Sequence, residues 1–476
     1  MQVNKVSLKS LVRDFSPSQP VYVKLPSRDL PAVYSAGGTR YADAYTLTYD
    51  KMLITRIDPY DAGVVSVAHV PHDTKDMRPR NLVFREDMEI EILGNDDMAQ
   101  FAQERAEYTF AHLPTDLAHT FTIGSDPEIF VELNGELLPA FEFLGSKEEP
   151  NHTPGGKNYA AGFQMFESTG GNAMYWDGYQ AEFTTTPGTC MEYHTDSIAA
   201  GLRGVIDAAR AKFPNAKLSA KTVWDIPFDR LMNDADNFVA FGCMPSKNAY
   251  GLRVEMPPCR EVPFRSSGGH IHFGLGKIND EQALPIVKAL DAILGVACVS
   301  LFAKYDDPKR RILYGLPGEF RTPPHGLEYR PISSAWMAHP VITNLVFDLA
   351  RKVVVFAQKG CLQFWKGNEK ETIDCVIACD APKAREILNR NKDTFMGLLQ
   401  AAYYWMDDKD RELIFNIFIN GMESVVEDPT DFDTNWGMRI DDQWSARCAR
   451  RNVRGCISKI RAGEKLSRSV APPLRF

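Results

Sequence analysis

Polar and apolar positions alternate with a period of two in four short stretches of this chain, the pattern of a half-buried strand. In Ser125-Asp-Pro-Glu-Ile-Phe, Asp126 and Glu128 take one face and Ile129 the other. Gln180, Glu182 and Thr184 oppose Tyr179, Ala181 and Phe183. His270 and His272 oppose Ile271 and Phe273, and Glu328 and Arg330 oppose Leu327 and Tyr329. The first stretch reads as one strand from Thr122 to Leu133, closed by the hairpin signal Asn134-Gly135. Helical spacing appears instead over Asp196–Phe213, Asp280–Ala303 and Pro340–Phe356.

Three regions emerge from these patterns. Residues 1–118 are short alternating runs, such as those starting at Tyr45 and Glu89, between Pro, Gly and Asp punctuation. This β-rich module carries no recognisable chemistry and is free for assembly, including a homo-oligomer, or for substrate docking. Residues 119–359 mix marked strands with amphipathic helices, without regular βαβ order, so the expected class is α+β. Residues 360–476 are mainly helical, with candidates at Ala384–Arg390, Thr394–Tyr404 and Arg411–Ile419.

Composition narrows the function classes. With 476 residues, 44% hydrophobic and 24% charged, the chain is an ordinary globular one of more than one domain. A net charge of -8 gives no global attraction to nucleic acid or anionic lipid. Locally, seven acidic residues between 423 and 442 adjoin nine basic ones between 447 and 476. These read as solvated faces that pair with each other, or as a polyanion-binding arm that salt would weaken. Nine scattered cysteines lack zinc-ribbon spacing and read as thiols in a reducing compartment. No secretory signal opens the chain, and the longest apolar run, Ala289–Ala303, is too short for a membrane span. The expected location is the cytoplasm.

What marks the four strands is residue type. Their polar positions hold carboxylates and imidazoles, and crowding such groups on one sheet face is unfavourable unless cations neutralise it. Mg²⁺, or Mn²⁺ in its place, suits oxygen ligands with an imidazole tolerated. Arg310, Arg311, Arg321 and Arg330 lie among the motifs, and guanidinium groups bind phosphate oxygens in pairs. Metals held by carboxylates, with arginines beside them, is the equipment of phosphoryl transfer.

The ordered series DPE, QAEFTT, GGHIHFG and LEYR resembles the catalytic core of glutamine-synthetase-like carboxylate–amine ligases over roughly residues 120–350. Within that group it most resembles the bacteriophage type, with glutamate–cysteine ligases more distant. The resemblance implies a twisted, mainly antiparallel sheet with flanking helices, holding two or three Mg²⁺ ions. It also implies that ATP phosphorylates a carboxylate and that an amine then displaces the phosphate to form an amide. By position, Glu128, Glu182 and Glu328 would be metal ligands and Asp126 an outer, catalytic one. Of the histidines, His272 is the metal candidate and His270 the phosphate candidate. Arg321 and Arg330 would neutralise the transferring phosphoryl group, assisted by Arg310 or Arg311. One departure is the Asp-x-Glu of the first strand, where many relatives have Glu-x-Glu.

Other readings stay open at this level. His270 and His272 alone could be structural or a zinc pair, and Arg310 and Arg311 could belong to an ordinary charged turn. Glu142, Glu167, Asp177 and His325 lie near the motifs without a pattern that assigns them a role. The same equipment would serve a phosphotransferase acting on a guanidino group. An inactive structural or interaction protein is the reading from a different class.

Overall fold

The computed structural model describes residues 121–152, 173–185, 187–188, 191–242, 246–252, 256–403, 406–437 and 453–466, and the strand backbones within residues 1–92. In the N-terminal part, six strands between Asn4 and Ile92 form one antiparallel sheet. Of the runs read from the sequence, Glu89–Ile92 is a strand of that sheet and Tyr45–Thr46 pairs with Asp29–Leu30 in a separate two-stranded one.

The class is α+β, with antiparallel sheets backed by helices. The four marked stretches lie on or directly beside five of seven strands, β3 and β6 being their partners: β1 (Thr122–Ser125), β2 (Glu128–Leu133), β3 (Ala173–Asp177), β4 (Gln180–Phe183), β5 (Ile271–Gly274), β6 (Glu319–Arg321) and β7 (Leu327–Tyr329). One sheet carries β1, β5, β7 and β6 in that order, ending on Lys247–Asn248; the other carries β2, β4 and β3 as its middle. The strand read as continuous from Thr122 to Leu133 is in fact two, parted at Asp126-Pro127. Proline has no N–H to give a ladder and holds its φ near −65°, so the chain leaves the first sheet there and enters the second. Asn134 and Gly135 turn β2 back at φ 55° and 86°, as the hairpin signal required.

The face opposite the polar positions is the core. Ile123, Ile129, Ala181, Phe183, Ile271, Phe273, Leu327 and Tyr329 are all essentially buried. Each such large side chain contributes about 1.5–3 kcal/mol by leaving water. Three helices cover it: α1 (Met191–Lys212), α2 (Asp280–Ala289, running through a π turn at Leu290–Gly295 into Val296–Phe302) and α3 (Pro340–Gln358). Each overlaps the stretch that helical periodicity marked. On α1, Gly201 lets the helix rest on Phe183, whose ring would lie 2.1 Å from an added Cβ. Helix α2 starts at a capping box between Asn279 and Gln282. The stretch Asp280–Tyr305 is long and apolar enough to cross a membrane by length and composition, but 89% of its most apolar window is buried inside the fold. That is the packing of a core helix.

Beyond α3, helices at Ala381–Arg390, Lys392–Ala402 and Asp408–Asn420 match the expected ones within a few residues. Helices at Glu369–Ala378 and Val453–Arg461 were not read from the sequence. In the charged tail, Asp433 pairs with Arg210 at 2.6 Å and Arg461 pairs with Asp410. These described members of the two blocks therefore reach α1 and the 408–420 helix. Residues 438–452 and 467–476, which hold much of the basic block, lie outside the described residues. Among the described residues, six cysteines are free thiols.

Candidate active site

Sheet register brings the polar positions together. Glu128 stands directly opposite Glu182, which stands opposite Tyr175 on its other side. In the neighbouring sheet His272 stands opposite Glu328, and Glu328 opposite Arg321. Directly opposed residues share a face, so each row is a line of functional groups. The break at Pro127 then sorts the two acids of the first motif. Asp126 joins the row of β5 and β7, and Glu128 the row of β4.

The first group is Asp126, His272 and Glu328, whose ligand atoms all lie within 4.8 Å of one another. His272 Nε2 is 2.9 Å from Asp126 Oδ1, and its Nδ1 is 2.9 Å from His325 Nε2. Burial works to lower the His272 pKa, but the hydrogen bond and charge of Asp126 win and raise it. His270 is buried, 3.7 Å from both Asp126 Oδ1 and Glu328 Oε1. Burial, and then Arg330 and Arg310, push its pKa well down, so it stays a neutral imidazole. Arg330 is buried and donates to Glu328 Oε1; Arg321, about one-third exposed, sits 3.6 Å from the same oxygen.

The second group is Glu128, Asp177 and Glu182, again within 4.8 Å of one another. Tyr175 donates its hydroxyl to Glu182 Oε1 at 2.8 Å. Gly268 N–H donates to Glu128 Oε2 at 2.6 Å, while Glu128 N–H donates to the Gly268 carbonyl at 2.9 Å. This close approach explains the paired glycines of GGH. A Cβ on Gly268 would stand 2.6 Å from His270 Nε2, and one on Gly269 would stand 2.1 Å from Trp336 Nε1. Burial and the charge of Asp177 raise the Glu128 pKa to about 7. Asp177 is raised mainly by burial. Glu182 is raised well above its ordinary value by burial and by repulsion from Asp126, Asp177 and Glu128. Lys147, 5.3 Å over the Tyr175 ring, and Arg330 supply opposing positive charge.

Not every candidate arrives at this face. Arg310 is buried, and its guanidinium donates to four backbone carbonyls, those of Ser267, Arg330, Pro331 and Ile332, at 2.7–3.3 Å. Arg311 is buried in an ion pair with Asp306 at 2.7 Å. Four carbonyls engage Arg310 and Asp306 engages Nη2 of Arg311, so in the structure both expected phosphate binders are held in structural contacts. Glu142 pairs instead with Arg230 at 3.2 Å, and Glu167 lies outside the described residues.

Two members of the site carried no readable signal. Asp177 precedes Gly178, so in sequence it looks like a turn residue; the hairpin places it opposite Gln180, beside both glutamates. His325 sits in the Thr322-Pro-Pro-His-Gly326 loop between β6 and β7. At Gly326, with φ +144°, a Cβ would lie 2.2 Å from the Phe273 carbonyl, so the loop hugs β5 and sets His325 against His272.

With this geometry in place, likeness to known families becomes informative. Residues 259–438 match the family Phage phiEco32-like COOH.NH2 ligase-type 2. The resemblance drawn from the ordered motifs is borne out there. The matched stretch holds GGHIHFG and LEYR, with His270, His272, Arg321, Glu328 and Arg330. Asp126, Glu128 and Glu182 precede it and are tied to it by Asp126–His272 and Glu128–Gly268. No match is found among curated proteins or among solved structures.

Proposed function

We propose that this chain is an ATP-dependent carboxylate–amine ligase that works with Mg²⁺. The observation that carries the proposal is the pair of adjacent three-ligand groups, Asp126/His272/Glu328 and Glu128/Asp177/Glu182, in a chain whose residues 259–438 match a COOH–NH2 ligase family. The donor sets fit hard divalent cations: five carboxylates and one imidazole, several buried, and in the second group burial raises the pKa values of Glu128, Asp177 and Glu182. Bound there, such ions would neutralise charge developing on phosphate oxygens.

The chain's own groups then divide the work. Arg321, the more exposed arginine, reaches for the transferring phosphoryl group, while Arg330 is a fixed charge between the two carboxylate groups. Neutral His270 can face phosphate without adding charge. The substrate carboxylate oxygen attacks the γ-phosphorus, and ADP leaves with the electron pair of the broken P–O bond. The amine nitrogen next bonds to the carbonyl carbon of the acyl phosphate, inorganic phosphate leaves, and the nitrogen gives up a proton.

The test is product release. Full-length protein with Mg²⁺, ATP and pooled carboxylates and amines is expected to release ADP and phosphate together, only when both pools are present. ¹⁸O from a labelled carboxylate should appear in the phosphate. Glu182→Gln and Glu328→Gln should each lower turnover on the order of 100-fold or more. A stable phosphorylated product without free phosphate would make the chain a phosphotransferase, and wild-type turnover in both variants would remove these residues from the mechanism.

A further inference from the structure

Both ring nitrogens of His272 are engaged, Nε2 with Asp126 Oδ1 and Nδ1 with His325 Nε2, each at 2.9 Å. The two imidazoles meet at 41°, with ring centroids 5.1 Å apart. His325 is exposed, yet its backbone is pinned. Pro323 and Pro324 precede it and hold their φ at about −65°. Its carbonyl accepts the Gly276 N–H at 3.1 Å, and the Gly326 N–H donates to the Pro323 carbonyl at 2.9 Å. With the close approach at Gly326, these contacts tie the loop to β5 and the segment just after it. The residue directly opposite His272 on β1 is Gly124, which has no side chain to offer Nδ1 in place of His325.

We propose that His325 is a positioning residue for the metal-binding face: it accepts the Nδ1 proton of His272 and so keeps Nε2, the nitrogen beside Asp126, open for a cation. This rests on the metal reading of the first group and deepens it. A neutral imidazole carries a single N–H, and the partner of one nitrogen decides which tautomer is present. On the Nε2 side Asp126 offers a carboxylate oxygen, which alone would draw the proton to Nε2, where a proton and a cation exclude each other. His325 supplies the opposing pull. Its Nε2 stands within hydrogen-bond distance and receives the proton through its lone pair, with its own N–H on Nδ1. A histidine that binds metal through one nitrogen generally gives its other N–H to a fixed acceptor, and loss of that acceptor costs roughly 10–100-fold in affinity. His325 need not be a ligand itself, because Asp126, His272 and Glu328 bring ligand atoms within 4.8 Å of one another without it.

Mn²⁺ is the probe, bound to the full chain and read by electron paramagnetic resonance for stoichiometry and by electron spin-echo modulation for directly bound nitrogen. Wild type is expected to bind two ions and to show modulation from an imidazole nitrogen. His325→Ala should weaken one ion about tenfold or more and reduce the nitrogen signal. The other ion, on the side of Glu128, Asp177 and Glu182, should keep its affinity within about twofold, which shows that the fold is intact. His325→Gln, whose amide oxygen can take the same proton, should restore both affinity and signal. That rescue is the readout a merely structural role would not give, since a residue that only props the loop is lost to Gln as it is to Ala. Unchanged binding and nitrogen signal in His325→Ala, or a loss that His325→Gln does not repair, would overturn the proposal. Wild type binding no Mn²⁺ would overturn it together with the metal reading. No turnover enters the measurement, so these results standing without ADP release from any carboxylate–amine mixture would sink the ligase reading alone.

Discussion

Asp291 lies in the π turn of α2, fully buried, and accepts a hydrogen bond from Tyr329 Oη at 2.7 Å. Burial lifts its pKa from 3.8 to about 7 against the pull of that bond. The folded state therefore favours the protonated acid. Its contribution to stability is complete below about pH 4 and is lost as pH rises through 7, a swing of up to roughly 4 kcal/mol. Asp291→Asn keeps an acceptor for Tyr329 and removes the titration. Urea denaturation at pH 5 and pH 8 should show a smaller fall in the variant than in wild type, and equal falls would contradict this assignment. At this scale the sequence was legible where residue type was unusual: two histidines or a Glu-x-Arg on an alternating strand. It was silent where an ordinary residue acquires a role from its neighbours. Asp177 looks like any turn aspartate, and Arg310 looks like any surface arginine until four carbonyls surround it.

Among the elements, the break at Pro127 and the loop before β5 do the sorting. Period-two reading put Asp126 and Glu128 on one face of one strand, and no local pattern shows that the strand changes sheets between them. The three helices over the core were legible because their apolar stripes repeat over four or more turns. The pairings that build the site were not, since Glu128↔Glu182 and His272↔Glu328 join residues more than fifty positions apart. Arg310 fastens the loop before β5 to the segment after β7, so Arg310→Lys, with a single nitrogen in place of a fork, should cost about 2–4 kcal/mol in chemical denaturation. Arg321→Ala, at a partly exposed position, should cost less than about 0.5 kcal/mol and instead reduce turnover. The opposite ranking would return Arg310 to the phosphate and make Arg321 a structural residue.

Across the whole molecule, the two carboxylate groups hold charge that the fold alone neutralises only in part. Glu128, Asp177 and Glu182 have raised pKa values, so without metal they lower stability as pH climbs toward and past 7. Divalent cations compete with those protons, and Mg²⁺ should therefore raise the melting temperature more at pH 8 than at pH 5. The order of the four motifs was legible at this scale, and the family match over residues 259–438 takes in the last two of them. How the acids divide into two groups was not, because that division exists only once both sheets are assembled. The most direct measurement is a Mn²⁺ titration of the full chain at pH 8, followed by electron paramagnetic resonance. Two bound ions are expected, one lost in Glu182→Gln and the other in Glu328→Gln. No binding at millimolar Mn²⁺, or wild-type binding in both variants, would contradict a two-metal face.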